Sequence, residues 1–221
     1  MTQTTPKRGR EANRARRHSG IALVFMLLVL LSQVAQAASV ASQNLVNLIQ
    51  HSDRILVGTV ESITDGFDSN NVPYTEVTLR VSDHIRGKAN ETVTFRQFGL
   101  LQPREIDGRT YLGTSPDGWP NWNESERVMV FLGPPARLTG LQTTVGLQSG
   151  KLRMHNGQLA NSAGNVGIFK GMKVEAKGLT RDQLAMLASD GQAVDANPFI
   201  SLVRRAVNEN WIENGVMHNE D

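Results

Sequence analysis

The sequence contains no cysteine among its 221 residues. This absence excludes disulfide bonds, thiolate metal ligands and cysteine nucleophiles, and it excludes a lipid anchor attached to a cysteine at a cleavage site. The folded chain must therefore be stabilised by packing alone. Its length permits this, because a domain of about 150 residues or more buries around 70% of its unfolded surface.

Several short catalytic motifs are also missing. The sequence has no P-loop, no dinucleotide-binding glycine fingerprint and no His-Glu-x-x-His zinc motif. The Gly-x-Ser-x-Gly turn of serine hydrolases is absent too, because Leu147 stands two residues before Ser149. The histidines beyond residue 37 are scattered: His51, His84, His155 and His218. We therefore expect no catalytic residues, no metal site and no cofactor, and a non-enzyme is favoured.

Positive charge is scarce outside the first 37 residues. That segment holds six of the 23 Lys and Arg residues and one of the 21 Asp and Glu residues. Removing it leaves 17 basic and 20 acidic residues, a net charge of −3. The basic residues of the predicted second and third strands are Arg80, Arg86, Lys88 and Arg96. Some barrels use these strands to bind nucleic acid, but the net acidic chain favours a solvated strand face and no nucleic-acid partner.

The N-terminal segment has the three parts of a secretory signal peptide. Residues 7–18 are rich in arginine, Ile21–Leu31 is an unbroken apolar run, and Ala35-Gln36-Ala37 places small residues at the cleavage site. The run is shorter than the about 20 residues that span a bilayer, so a membrane anchor is disfavoured. We predict a signal peptide over 1–37 and no stable membrane span after its cleavage.

The export route and the destination follow from the same segment. Arg16-Arg17 makes a twin-arginine signal conceivable, but the His-Ser-Gly that follows fits that motif poorly, so the general secretory route is the default. The exported domain, 38–221, would be periplasmic or extracellular. The missing cysteines are compatible with either compartment.

Hydrophobic periodicity beyond the leader predicts short strands with helices near the two ends. Expected strands are 54–62 with a bulge at Gly58, a strand around 77–82, 92–98, 127–132, one bent or two short strands over 143–154, and 158–161 after an Asn156-Gly157 hairpin turn. Expected helices are 42–51, one from the capping box Thr180…Gln183 to about Ser189, and one capped by Asn197 with Pro198 in its first turn.

These elements predict a mainly β fold with flanking helices (β+α). The expected single domain over 38–221 consists of an antiparallel barrel or sandwich at about 45–162 and a helical appendage at about 179–213. The run Val-Met-Val-Phe-Leu after Arg127 has no polar residue, so that strand should be buried on both faces, at the centre of the core.

The order of these strands resembles a known group. The segments that carry the resemblance are Ile55–Val60, Tyr74–Val81 with Arg86-Gly87, Val93–Gln97, Glu126–Leu132, Gly146–Leu152 and Pro198–Arg204. They are similar to exported bacterial proteins of unassigned activity that resemble the netrin-like domain of tissue inhibitors of metalloproteinases. The resemblance covers roughly 45–206 and implies a barrel of the oligonucleotide/oligosaccharide-binding (OB) type. Its motifs are strands and turns, so they indicate fold more than function.

The inhibitory mechanism of that family cannot be transferred. Metalloproteinase inhibitors of this fold chelate the catalytic zinc through an N-terminal cysteine, whereas the expected first residue here is Ala38. No functional residue of the family maps onto this chain.

The candidate binding site lies in the long segment 99–125. Asp117, Trp119, Asn121 and Trp122 place two of the three tryptophans beside several oxygen ligands. Such a pair can stack on a sugar ring or anchor a protein partner. Two alternatives remain open: the rings cover one end of the barrel, or the oxygens hold calcium, although the EF-hand order of ligands is absent.

The sequence thus favours an exported, non-catalytic binding module whose partner is a protein or an envelope component. The main alternative is an extracytoplasmic hydrolase with its acidic residues in 99–125. A third is an envelope-associated structural protein held by its terminal helices.

The leader gives the first testable prediction. We expect the exported protein to begin at Ala38, because the small residues of Ala35-Gln36-Ala37 meet the requirement of signal peptidase. Intact-mass measurement of the exported protein checks this. Recovery of the uncleaved chain from membranes, still carrying Met1, would contradict it.

Overall fold

A computed structural model describes residues 43–220 apart from 89, 107, 112–115 and 117. The predicted signal peptide and Ala38 lie outside the described residues. Within the described ranges, no helix is long and apolar enough to cross a membrane.

The described chain is mainly β, with three α-helices. Its strands are β1 (Arg54–Phe67), β2 (Pro73–Arg86), β3 (Thr92–Phe98), β4 (Arg104–Ile106), β5 (Arg109–Tyr111), β6 (Arg127–Leu132), β7 (Lys151–His155), β8 (Gln158–Ala160), β9 (Met172–Val174), β10 (Val194–Asp195) and β11 (Met217–Asn219). Its helices are α1 (Leu45–Gln50), α2 (Arg181–Leu187) and α3 (Ala196–Asn208).

Seven strands form one antiparallel sheet in the order β10-β8-β7-β6-β1-β2-β3. Two small two-stranded sheets lie outside it: the hairpin β4–β5 and the pair β9–β11, whose strands are far apart in the chain. The strand β6 is the middle strand of the seven, and all its residues after Arg127 are buried. The prediction of a central strand buried on both faces is confirmed.

The two faces of β6 belong to two separate apolar clusters. Met129 and Phe131 pack with the residues of the three helices. Val128, Val130 and Leu132 pack on the opposite face, with residues of β1, β2 and β3. This division follows from the strand geometry, since successive side chains point to opposite faces.

All three helices cover one face of the sheet. Leu45 and Leu48 of α1, Met186 of α2 and Phe199 and Leu202 of α3 belong to the same cluster as the first face of β6. The C-terminal helices therefore contribute to the main core. We call this side of the sheet the helix-covered face.

The helix starts were predicted with mixed success. The capping box of α2 is confirmed: the Thr180 hydroxyl accepts from the Gln183 backbone N–H, and the Gln183 side chain accepts from the Thr180 N–H. The predicted start of α3 is wrong, because the helix begins at Ala196, two residues before Pro198. The reason is tertiary: β10 pairs with β8 immediately before α3, so the chain leaves the sheet directly into the helix.

Local turn chemistry was predicted correctly. Asn156 and Gly157 both have positive φ, 49° and 77°, as the tight turn between β7 and β8 requires. At Gly58 the register of β1 against β2 shifts, and a Cβ there would come within 2.6 Å of the Arg80 carbonyl oxygen. Glycine allows this close approach, and the bulge is confirmed.

The predicted closed barrel is not confirmed. Among the described strands, the outer strands β3 and β10 do not pair with each other. The segment after β6 approaches β3 instead: Thr144 forms a bridge with Leu132, and the Gln142 N–H donates to the Arg96 carbonyl oxygen at 2.7 Å. The sheet is open, because its two outer strands do not pair with each other. Among the described residues, the backbone hydrogen bond from Gln142 to Arg96 links β3 to this segment.

The core gives the second testable prediction. Phe131→Ala should lower the free energy of unfolding by about 3–5 kcal/mol, because it removes a fully buried ring from the helix-covered face. Thr78→Ala should cost less than about 1.5 kcal/mol, since Thr78 shares only an exposed hydrogen bond with Thr94. Urea denaturation measures both. Equal losses would mean that β6 is not the central strand.

Candidate functional site

The segment 118–126 between β5 and β6 covers the second face of the sheet. Trp122 is only 7% exposed and belongs to the cluster of β1, β2, β3 and β6. Its ring meets that of Phe95 edge-on, with centroids 5.4 Å apart. We call this side the loop-covered face. The Trp122 ring is thus folded back onto the sheet and does not project into solvent.

Gln97 of β3 fixes this segment to the sheet. Its side chain is 2% exposed, and its Oε1 accepts from Trp122 Nε1 at 2.9 Å. Its Nε2 donates to the Pro120 carbonyl oxygen at 3.1 Å. Both ends of one buried amide are thus satisfied by the same loop, which holds Trp122 in one orientation.

Lys151, the first residue of β7, holds the segment from the other side. Its side chain is 6% exposed, and Nζ donates to Glu126 Oε2 at 2.5 Å and to the Asn121 carbonyl oxygen. The same Nζ lies 4.6 Å from the centre of the Trp122 ring, a cation–π distance. Three interactions of one buried cation therefore converge on the loop.

Burial lowers the pKa of Lys151, and the hydrogen bond to Glu126 opposes this effect. The direction follows because removing water disfavours the charged ammonium. A buried cation of this kind is retained only where partners compensate for its lost hydration. Glu126 and the Asn121 carbonyl supply that compensation, so the arrangement is rigid.

Glycine makes the position of Lys151 possible. A Cβ at Gly150 would lie 2.3 Å from the Val145 carbonyl oxygen. The chain can therefore fold tightly through the short 3₁₀ helix Leu147–Gly150 and return to β6 at Lys151. This turn also places Gln148 against the loop, where its N–H donates to the Gly118 carbonyl oxygen at 3.2 Å.

A polar cleft of about 330 Å³ lies beside the anchored loop. It is lined by Pro120, Asn121, Asn123, Gln148, Lys151, Arg153 and Ser162. Gln148 is itself oriented, because its Oε1 accepts from the Ser162 hydroxyl at 2.5 Å. Residues with amide, hydroxyl, ammonium and guanidinium side chains thus line one small volume.

A second cleft of about 760 Å³ adjoins the first and shares Asn123 and Arg153 with it. Its lining comprises Asn123, Ser125, Glu126, Arg127, Arg153, Met154, His155, Gln158, Ala160, Asn161 and Ala193. We call the two clefts together the polar groove, after the polar lining of the first; the second also has the apolar side chains of Met154, Ala160 and Ala193 in its lining. The groove runs from the 3₁₀ turn across β7 to the β8 hairpin.

Glu126 stands at the boundary between the core and the polar groove. Its Oε2 accepts from Lys151, whereas its Oε1 is buried and has no hydrogen-bond partner among the described residues. The Nε of Arg153 lies 3.4 Å from this Oε1, as an ion pair. The Glu126 carboxylate therefore lies between two cations, with its Oε1 buried beside Arg153.

The sequence-predicted site residues occupy different environments. Asn121 is exposed and lines the first cleft. Trp119 is half-buried, with its ring centre 6.3 Å from that of Phe98. Trp122 is buried, and Asp117 lies outside the described residues.

Sequence reasoning missed Glu126, Gln148, Lys151, Arg153 and Ser162. Two of the segments that carry the netrin-like resemblance contribute three of them: Glu126 opens Glu126–Leu132, and Gln148 and Lys151 lie in Gly146–Leu152. The one signal in the sequence is that Lys151 directly precedes an apolar strand residue, Leu152. The fold buries this position. Periodicity could not pair it with a glutamate 25 residues earlier.

The residues behind the hydrolase, metal-site and nucleic-acid hypotheses lie as follows. Of the acidic residues in 99–125, Glu105 and Glu124 are described, and both are exposed. Within the described residues, no three His, Asp or Glu side chains come together in a way that could hold a metal ion. The basic residues of the second and third strands are partly engaged: Arg80 with Glu61 at 3.8 Å and Arg96 with Glu76 at 2.6 Å.

No protein-family model matches the chain, and no curated protein matches it significantly. The chemistry of the polar groove must therefore be argued from its own residues.

The loop gives the third testable prediction. Trp122→Ala should lower the free energy of unfolding by about 3–5 kcal/mol, because it removes a buried ring and its hydrogen bond to Gln97 Oε1. Trp119→Ala should cost less than half as much, since that ring is partly solvated. Urea denaturation decides between them. Loss of ligand binding in the Trp122 variant without loss of stability would instead favour a direct contact.

Proposed function

We propose that this protein is an exported, non-catalytic binding module that holds an envelope component in the polar groove. The observation that carries the proposal is the groove itself: the exposed residues Asn121 and Asn123 line a volume that is bounded by the buried Lys151. Binding sites pair a rigid frame with a few oriented polar groups. Export rests on the N-terminal signal pattern alone.

The proposed scaffold is an OB-type, netrin-like barrel. Two contacts support it: the bridge between Thr144 and Leu132, and the hydrogen bond from Gln142 to Arg96. They bring the segment 142–145 between the end of β6 and the edge of β3. In barrels of this type, a strand in that position completes the circle, and the polar groove would then lie beside the closing segment.

The pairing of the groove carboxylate, Glu126, with Lys151 favours binding over hydrolysis. Glu126 is the one acidic residue among the described lining residues of the two clefts. It is held by Lys151, whereas glycoside hydrolysis requires two carboxyl groups on opposite sides of the scissile bond.

An envelope glycan fits the groove better than a protein surface does. Protein interfaces centre on apolar or aromatic anchors, but Trp122 is turned inward and the first cleft is lined mainly by polar side chains. Amide and hydroxyl groups exchange hydrogen bonds with sugar hydroxyls as both donors and acceptors. The proposed ligand is therefore a polysaccharide of the envelope.

The fourth testable prediction removes the groove amides. The double variant Asn121→Ala with Asn123→Ala should bind an isolated envelope polysaccharide fraction about thirtyfold more weakly, because two hydrogen bonds are worth about 2 kcal/mol. Its stability should change little, since the Lys151 bond uses the Asn121 backbone carbonyl. Co-sedimentation of the full chain with the insoluble fraction measures the affinity.

The matched control is Asn70→Ala, an exposed asparagine in the β1–β2 turn whose backbone N–H, not its side chain, bonds to Asp68. It should bind as the unchanged protein does. Equal affinity of the double variant and the control would refute the groove as the binding site. Failure of the unchanged protein to bind any envelope fraction would refute the proposed function.

A further inference from the structure

The lining of the polar groove is positively charged, whereas residues 38–221 taken together are net acidic. Residues 38–221 carry a net charge of −3. The groove collects three cations, Arg127, Lys151 and Arg153, against one carboxylate, Glu126. A local excess of the opposite sign raises the concentration of anionic ligands at that surface.

The cations of the groove differ in what they can still bind. Lys151 is buried and occupied by Glu126, the Asn121 carbonyl and the Trp122 ring. Arg153 is 59% exposed and lines both clefts. Among the described residues, the ion pair of its side chain is with Glu126, through Nε at 3.4 Å. The terminal nitrogens of its guanidinium are therefore available to a ligand.

A guanidinium with free terminal nitrogens recognises a carboxylate with two parallel hydrogen bonds. The neighbouring groups suit the rest of a sugar. Glu126 Oε1 is buried beside Arg153 Nε, so it holds that side chain in place and does not meet the ligand. Asn121, Asn123 and Ser162 can exchange hydrogen bonds with further hydroxyls.

We propose that the ligand of the polar groove is an acidic oligosaccharide, with a sugar carboxylate bound by the terminal nitrogens of Arg153. This assignment rests on the proposed function and adds the chemical class of the ligand. The shared lining of the two clefts favours a chain of several sugars, because each cleft alone has the size of a pocket for one small molecule.

The test compares one ligand in two charge states. A tetrasaccharide of uronic acid and its methyl ester have the same sugar chain, but the ester lacks the carboxylate charge. Isothermal titration calorimetry of the full chain should give an affinity about tenfold or more higher for the acid, since charge-assisted hydrogen bonds to a guanidinium are the stronger ones. Inorganic phosphate serves as the probe for unspecific anion binding.

The variants locate the charge effect. Arg153→Gln should bind the acid and the ester about equally. The matched control is Arg80→Gln, which removes another exposed arginine, 65% exposed on β2 and outside the groove. It should keep the full preference for the acid. The basic N-terminal segment is common to all variants, so it cannot produce a difference between them.

Several results would overturn the assignment. Equal affinity of the unchanged protein for acid and ester would refute the carboxylate contact while leaving the envelope-binding test of the asparagine variants intact. Absence of binding to both ligands would refute this glycan class. Equal weakening by Arg80→Gln and Arg153→Gln, or full competition by phosphate, would reduce the effect to unspecific attraction of anions.

Discussion

The burial of β6 on both faces is the constraint on which the rest of the structure depends. A strand with no polar residue after Arg127 must be covered on both faces, and different elements cover each face. The three helices cover one face, and β1, β2 and β3 with Trp122 cover the other. Burying Phe131 and Val130 on opposite sides thus draws the three helices and the segment 118–126 onto one sheet.

Covering the second face with a loop creates the polar groove. A loop carries backbone groups and side chains that need partners when they are buried, and Gln97 and Lys151 supply them at the loop's two flanks. Since Trp122 points inward, the neighbouring Asn121 and Asn123 remain on the outside. The groove is therefore a consequence of how the core is closed, and its rigidity has the same origin.

The electrostatics of the groove follow from the buried pair as well. Lys151 needs a carboxylate nearby, and Glu126 satisfies it with one oxygen. The second oxygen of Glu126 lies near Arg153, which brings a further cation to the groove lining. A structural ion pair and a candidate binding arginine thus share one carboxylate, which links the stability of the loop to the proposed recognition of an anion.

The sequence by itself determined the local elements: the bulge at Gly58, the Asn156-Gly157 turn, the capping box of α2 and the apolar strand β6. Each depends on a few neighbouring residues, so each can be read from periodicity and turn chemistry. Tertiary structure alone decided that α3 begins at Ala196, that Trp122 faces the core and that Lys151 meets Glu126. The reason is physical: these outcomes depend on contacts between segments far apart in the chain, and the pattern of one segment does not contain its partner.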